Sequence, residues 1–224
     1  DGYVGWVGTD SESFITQQES FTDIACVSRA AAHIYHVKDT EFGPILTLPL
    51  DSCLALVNYE SSDVDSRWLE VRLLDGRLAY VQRGDIEINP VLKTKQEIVE
   101  LALSLPPLPY TWGGRSSIYG FDCSGLVQFL YKQMGVMLPR DSKDQVNWEG
   151  FRGVSLDALT PGDLIFFGQS KDSISHVGMS LGGIDFIHTS PRENQPWIRK
   201  SKLTDSAWNG KDFHSTSFRI GRQL

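Results

Sequence analysis

Three scarcities bound this 224-residue chain before any motif is read. No apolar run approaches the ~20 residues that a bilayer-spanning helix needs, so no membrane span is expected. The first residues carry neither an initiator Met nor the apolar core of a secretory leader. The expectation is a chain whose leader has been removed, or a fragment. Positive charge is also short: 21 Lys and Arg stand against 28 Asp and Glu, a formal net charge of −7. Phosphate binding needs a basic face, which argues against nucleic acid as the main partner; the dispersed acids read as a solvated surface. Cysteine is scarce too. Cys26, Cys53 and Cys123 are too few for a disulfide scaffold and show no C-x-x-C metal spacing. Cys26 and Cys53 are read as core thiols, and His33 and His36 lack the partners of a metal site.

What is present is the composition of a globular protein, 41% hydrophobic and 22% charged. The length suits one large domain or two modest ones. Residues 1–89 read as β-rich. In WLEVRLLDGRLAYV, Leu69, Val71 and Leu73 alternate with Glu70 and Arg72, and Asp75-Gly76 supplies a hairpin turn. Leu78 and Tyr80 are expected to continue the alternation on the return strand. IYHV, ILTL and CLALVNY are further strand candidates. The opening DGYVGWV aligns with DGRLAYV at residues 75–81, Asp1 with Asp75, Trp6 with Tyr80 and Val7 with Val81. Such short strands, with this hairpin ending, resemble a bacterial SH3-like barrel over residues 22–89. Residues 1–21 are then the remnant of a preceding module, or an edge strand plus linker.

Asn89-Pro90 punctuates the chain and the pattern changes. Thr94 and Glu97 form a capping box ahead of Ile98, Leu101, Ala102 and Leu105 at helical spacing, and Pro106-Pro107 ends that helix. CSGLVQFLYKQMG reads as a second, buried helix closed by Gly135. After the Thr160-Pro161-Gly162-Asp163 turn come strands in DLIFFG, SHVGMSLG, IDFIHTS and FRIGRQL. Helices followed by a run of antiparallel strands predict an α+β fold.

Cys123, in GFDCSGL, falls where loop becomes helix, and the helix dipole and unpaired amides there favour thiolate. The alternative is a buried thiol acting as a small hydrophobe. His176 and His188 sit on two successive strand candidates joined at Gly182-Gly183, so antiparallel pairing can set them side by side on one face. A helix-start thiol packed against that face provides a nucleophile, a base and an orienting group.

These residues belong to a longer series: YTWGG (110–114), DCSGLVQFLY (122–131), LPRDSKDQ (138–145), LTPGDLIFF (159–167), HVGMSLG (176–182) and FIHTS (186–190). In this order they resemble the NlpC family of papain-like cysteine peptidases, which cut bacterial cell-wall peptides; the resemblance covers residues 94–224. It implies Cys123 as nucleophile, His176 as general base and acid, and His188 as the group that orients His176. It further implies that the Tyr110 hydroxyl helps hold the oxyanion, while Trp112, Gly113 and Gly114 shape that loop. No cofactor is implied, since thiolate chemistry needs none. With the SH3-like region, the chain is similar to the γ-D-glutamyl-L-diamino acid endopeptidases of the YkfC type. That resemblance implies recognition of a free N-terminal L-Ala amine by Asp122, Ser124, Asp141 and Ser142, with Tyr3 a contributor from an upstream module. An ammonium does need carboxylate and hydroxyl acceptors, although Asp122 and Asp141 also read as helix caps. The implied partners are peptidoglycan stem peptides. The expected setting is a bacterial cytoplasm, in wall recycling, or the cell envelope; the alternatives are a lytic enzyme docked on intact wall or a non-catalytic wall-binding module.

Overall fold

The computed structural model describes residues 23–60, 66–210 and 218–224. The DGYVGWV stretch and Tyr3 lie outside the described residues. Contacts divide the chain between Val91 and Leu92 into two compact units. None of the described helices is long and apolar enough to cross a membrane.

The N-terminal unit is a sheet of seven short strands: β1 (Ile24–Val27), β2 (Ala31–Tyr35), β3 (Leu46–Pro49), β4 (Cys53–Leu56), β5 (Trp68–Arg72), β6 (Leu78–Gln82) and β7 (Ile86–Ile88). Their order is β3-β2-β6-β5-β4-β1-β7, with antiparallel neighbours throughout. A core that includes Ile34, Leu69, Val71, Ala79 and Val81 fills one face.

The β5–β6 hairpin differs from the sequence expectation by one residue. A two-residue Asp75-Gly76 turn would set Leu78 and Tyr80 on the core face. Instead the Leu73 amide donates to the Arg77 carbonyl, leaving a three-residue loop, Leu74-Asp75-Gly76, with Gly76 at φ +84°. The register is then Leu69 opposite Val81 and Val71 opposite Ala79. Ala79 and Val81 are fully buried while Leu78 is 44% exposed. Adding one loop residue inverts the faces of the return strand, because side chains alternate with a period of two. Tyr80 lies on the other face, its hydroxyl donating to Glu70.

The cysteine reading is corrected in this unit as well. Cys26 and Cys53 are directly opposite in the β1–β4 ladder and form a disulfide. Counting thiols does not reveal a pairing that depends on the register of strands far apart in sequence.

The C-terminal unit begins with α1 (Lys95–Ser104), whose Thr94–Glu97 capping box forms as the sequence predicts. A short hairpin, β8 (Arg115–Ser116) and β9 (Gly120–Phe121), leads into α2 (Cys123–Lys132), buried from Cys123 to Tyr131. After the one-turn helix α3 (Ser142–Gln145) come β10 (Arg152–Val154), β11 (Leu164–Gly168), β12 (Ile174–Gly182), β13 (Asp185–Ser190), β14 (Trp197–Lys202) and β15 (Phe218–Gln223). They form one antiparallel sheet in the order β10-β15-β11-β12-β13-β14. Helix α2 packs on β12 and β13, while Ile165 and Phe167 of β11 pack with Leu203 and Trp208, and all five residues of β11 are buried. The TPGD turn fastens the helices to the sheet. Asp163 accepts from the Thr160 amide and pairs with Lys95 of α1, and the Tyr131 hydroxyl of α2 donates to the Gly162 carbonyl.

Candidate active site

Cys123 is the first residue of α2, and Asp122 caps the helix by accepting the Gly125 amide at 2.7 Å. The first turn lies so close to the preceding loop that a Cβ on Gly125 would stand 2.2 Å from the Gly114 carbonyl oxygen; only glycine fits there. The amides of Val177 on β12, of Ser124 and of Cys123 itself act on the thiol by favouring its ionised form. Val177 is the residue that follows His176.

His176 on β12 and His188 on β13 meet as a hydrogen-bonded pair, Nε2 to Nδ1 at 2.9 Å. Met179 pairs with Ile187, and a Cβ at Gly178 would stand 2.7 Å from the Phe186 ring and 3.2 Å from the His188 Cβ, so bare Gly178 lets β13 pack close. The pair continues to β14, where His188 Nε2 lies 2.9 Å from Ser201 Oγ. Trp208 closes the cluster: its ring stacks on His176 at 4.8 Å and meets His188 edge-on at 4.8 Å. The indole N–H donates to Glu193, which also pairs with Arg199. With Nε2 engaged by His188, the other nitrogen of His176, Nδ1, is left for proton exchange.

Burial governs the electrostatics. Loss of solvation pushes His176 well below the usual histidine range, and the Arg192 and Arg199 cations push the same way. His188 moves down by burial, by its neighbour His176 and by the same two arginines. Burial and then the Asp122 carboxylate raise the Cys123 thiol, against the three amides that favour thiolate. The helix-start amides that the sequence reading invoked do act toward thiolate, but desolvation acts more strongly in the opposite direction. The Tyr110 hydroxyl is raised to about 12 by burial, with Cys123 and Asp122 adding to it, so it stays protonated and able to donate.

Cys123 opens on a cavity of about 620 Å³ whose walls include Tyr110, Trp112, Asp122, Ser124, Asp141 and Ser142. Each described residue named from the sequence thus stands at this wall, apart from the two histidines behind it. Sequence reasoning passed over Arg140, which fills the wall between them. Its guanidinium pairs with both Asp122 oxygens, at 3.1 and 2.5 Å, and donates to Ser124 Oγ at 2.9 Å. Asp122 also accepts the Gly113 amide, so its carboxylate is committed to the scaffold. Asp141 is more open; Lys143 Nζ stands 3.9 Å away, and the charge of the adjacent Arg140 also acts on it. Gln145 binds the Ser124 and Pro139 carbonyls and ties this loop to α2. Arg140 and Gln145 both lie inside the LPRDSKDQ stretch and were findable there; Ser201 and Trp208 have no local signal. Among the described residues no cluster of His, Cys, Asp and Glu could hold a metal ion.

Residues 108–216 match the NlpC/P60 family. The chain is 29% identical over 193 residues to a gamma-D-glutamyl-L-lysine dipeptidyl-peptidase of Bacillus subtilis, covering 84% of this chain and 60% of that protein. It is 30% identical over 206 residues to the protein of the same name from Bacillus cereus, covering 86% and 57%. The chain therefore spans under two thirds of the length of these relatives. A crystal structure of an NlpC/P60 family protein from Bacillus cereus superposes with a TM-score of 0.72 at 25% identity, over 90% of this chain and 63% of that one. The stretch that holds the thiol and both histidines, residues 108–216, is thus the part of this chain that matches the NlpC/P60 family.

Proposed function

We propose that this protein is a cysteine endopeptidase that hydrolyses γ-D-glutamyl–diamino acid bonds, to meso-diaminopimelate or Lys, in peptidoglycan stem peptides with a free N-terminal L-Ala. The observation that carries the reading is the Cys123 thiol at the cavity wall, at the head of the helix that packs on the strands of the hydrogen-bonded His176–His188 pair. The names of the two Bacillus relatives support the substrate class.

In this mechanism Cys123 Sγ attacks the γ-amide carbonyl as His176 Nδ1 takes its proton. General-base transfer on substrate entry suits a thiol whose ionisation burial opposes. The Tyr110 hydroxyl and the amides at the start of α2 donate to the developing oxyanion. His176 then gives the proton to the departing amine as the C–N bond breaks, leaving a thioester. Water, deprotonated by His176, hydrolyses it. Asp141 and Ser142 are the acceptors for the L-Ala ammonium, whereas Asp122 and Ser124 act through Arg140 to hold that wall. The test compares L-Ala-γ-D-Glu-diaminopimelate with its N-acylated form: a strong preference for the free amine is expected, and equal cleavage overturns the amine reading.

One observation favours work outside the cytosol. The Cys26–Cys53 disulfide suits an oxidising compartment. It weighs toward the cell envelope and toward the N-terminal sheet as an SH3-like docking module, rather than toward cytoplasmic recycling. Thiol titration of protein taken from its native compartment under denaturing, alkylating conditions tests this. One reactive thiol per chain, from Cys123, is expected; three would return the reading to the cytosol.

A further inference from the structure

We infer that Ser201 is a positioning residue that selects the working tautomer of the His176–His188 pair. The inference rests on the catalytic reading above. The three groups form a line across three strands: His176 Nε2 to His188 Nδ1 at 2.9 Å, and His188 Nε2 to Ser201 Oγ at 2.9 Å. The register explains the last link. His188 is directly opposite Arg199, and Ser201 is the next residue on the same face, within diagonal reach of a ring. All three side chains are buried, at 6%, 0% and 8% exposure, so protein groups rather than bulk water must satisfy these nitrogens.

Two proton arrangements satisfy the line. In the first, His176 carries its proton on Nε2 and donates to His188 Nδ1. His188 then carries its proton on Nε2 and donates to Ser201 Oγ. This arrangement leaves the His176 Nδ1 lone pair for the thiol proton. In the second, every hydrogen bond runs the other way: Ser201 donates to His188, His188 donates to His176, and His176 holds its proton on Nδ1. Cys123 then has no base.

Only the first arrangement survives proton transfer. An imidazolium at His176 must donate from Nε2, so His188 must accept at Nδ1 and hold its own proton at Nε2. That N–H needs an acceptor, and Ser201 Oγ supplies it. Without the hydroxyl, the first arrangement orphans a buried donor and the second orphans only an acceptor, which proteins tolerate better. Removing Ser201 therefore shifts the pair toward the idle tautomer. The other groups around the line are Cys123 on α2, Arg192 and Glu193 after β13, Arg199 on β14, and the Trp208 ring. None of them is hydrogen-bonded to His188 Nε2 in Ser201's place.

Nitrogen-15 spectra of histidine-labelled protein, recorded without substrate, read the tautomers directly. The expected wild-type result is His188 protonated on Nε2; finding it protonated on Nδ1 overturns the inference. Ser201→Ala is expected to move that proton to Nδ1 and to lower kcat/KM by roughly two- to tenfold, the worth of one hydrogen bond. Because a tautomer ratio does not depend on pH, the loss is uniform along the plateau of the pH profile. Ser201→Thr keeps the hydroxyl and is expected to restore both readouts. A folded Ser201→Ala protein with an unchanged tautomer and unchanged kcat/KM overturns the inference. The spectra need no turnover, so an error in the proposed substrate leaves this test intact.

Discussion

The two units of this chain solve the problem of stability differently. The N-terminal sheet has strands of three to five residues and a small apolar core, and it carries a cross-strand disulfide between Cys26 and Cys53. The C-terminal unit has no such staple among its described residues, but its helix α2 and strand β11 are buried along almost their whole length. That larger core also encloses polar groups: the Asp122–Arg140 ion pair, the Asp163 carboxylate and the His176–His188–Ser201 line. Small domains bury proportionately less surface and gain most from a cross-link. A large core can hold desolvated charges and imidazoles, and those supply the chemistry.

Four experiments test that division, in falling order of expected effect. Cys123→Ala should abolish hydrolysis, by on the order of 10⁴-fold or more in kcat; near-normal turnover would refute the catalytic assignment. Arg140→Met should cost the C-terminal unit about 3–5 kcal/mol, because it strands the Asp122 carboxylate in the wall. Adding Asp122→Asn should recover much of that loss in a urea titration. Removing the disulfide by Cys26→Ser with Cys53→Ser should cost the N-terminal sheet about 3 kcal/mol, from the closure of a loop with sequence separation 27. Hydrogen exchange in peptides from residues 23–60 would report it, and unchanged protection would deny the staple its role. Val81→Ala should cost roughly 1–2 kcal/mol, whereas Leu78→Ala should stay within about 0.5 kcal/mol. The reverse order would restore the two-residue turn.

Acid separates the units as well. Burial lowers His176 and His188, so the unfolded chain binds more protons than the folded one below the ordinary histidine range, about 6.5. The stability this pair confers is complete above that pH and declines as pH falls toward the depressed folded values. Thermal melts should therefore show the C-terminal unit losing stability below about pH 6.5. His176→Asn with His188→Asn should flatten that slope, and an unchanged slope would place the proton uptake elsewhere. The acid limb of kcat/KM should likewise lie below the ordinary histidine range, since His176 stays neutral there.

Much of the site was legible because its signals are local or ordered along the chain. The Thr94–Glu97 box is a contact of three residues' span, and it formed as read. Cys123 at a helix start and the two histidines on successive strands follow from turn residues and periodicity, and α2 and the β12–β13 hairpin bring them together. The illegible parts depend on loop parity, register or burial. A three-residue loop set Ala79 and Val81 inward. The β1–β4 register paired Cys26 with Cys53. Trp208 reaches the histidines from a turn with no periodic pattern.

Sequence by itself determined the α+β order of elements, the thiol at the head of α2 and the histidines that follow it, since composition, capping and alternation act over a few residues. Tertiary structure alone decided the burial of that thiol, the commitment of Asp122 to Arg140 and the placing of Ser201 beyond His188. Each of these depends on which groups from distant segments exclude water from one another, and desolvation is a property of the assembled core.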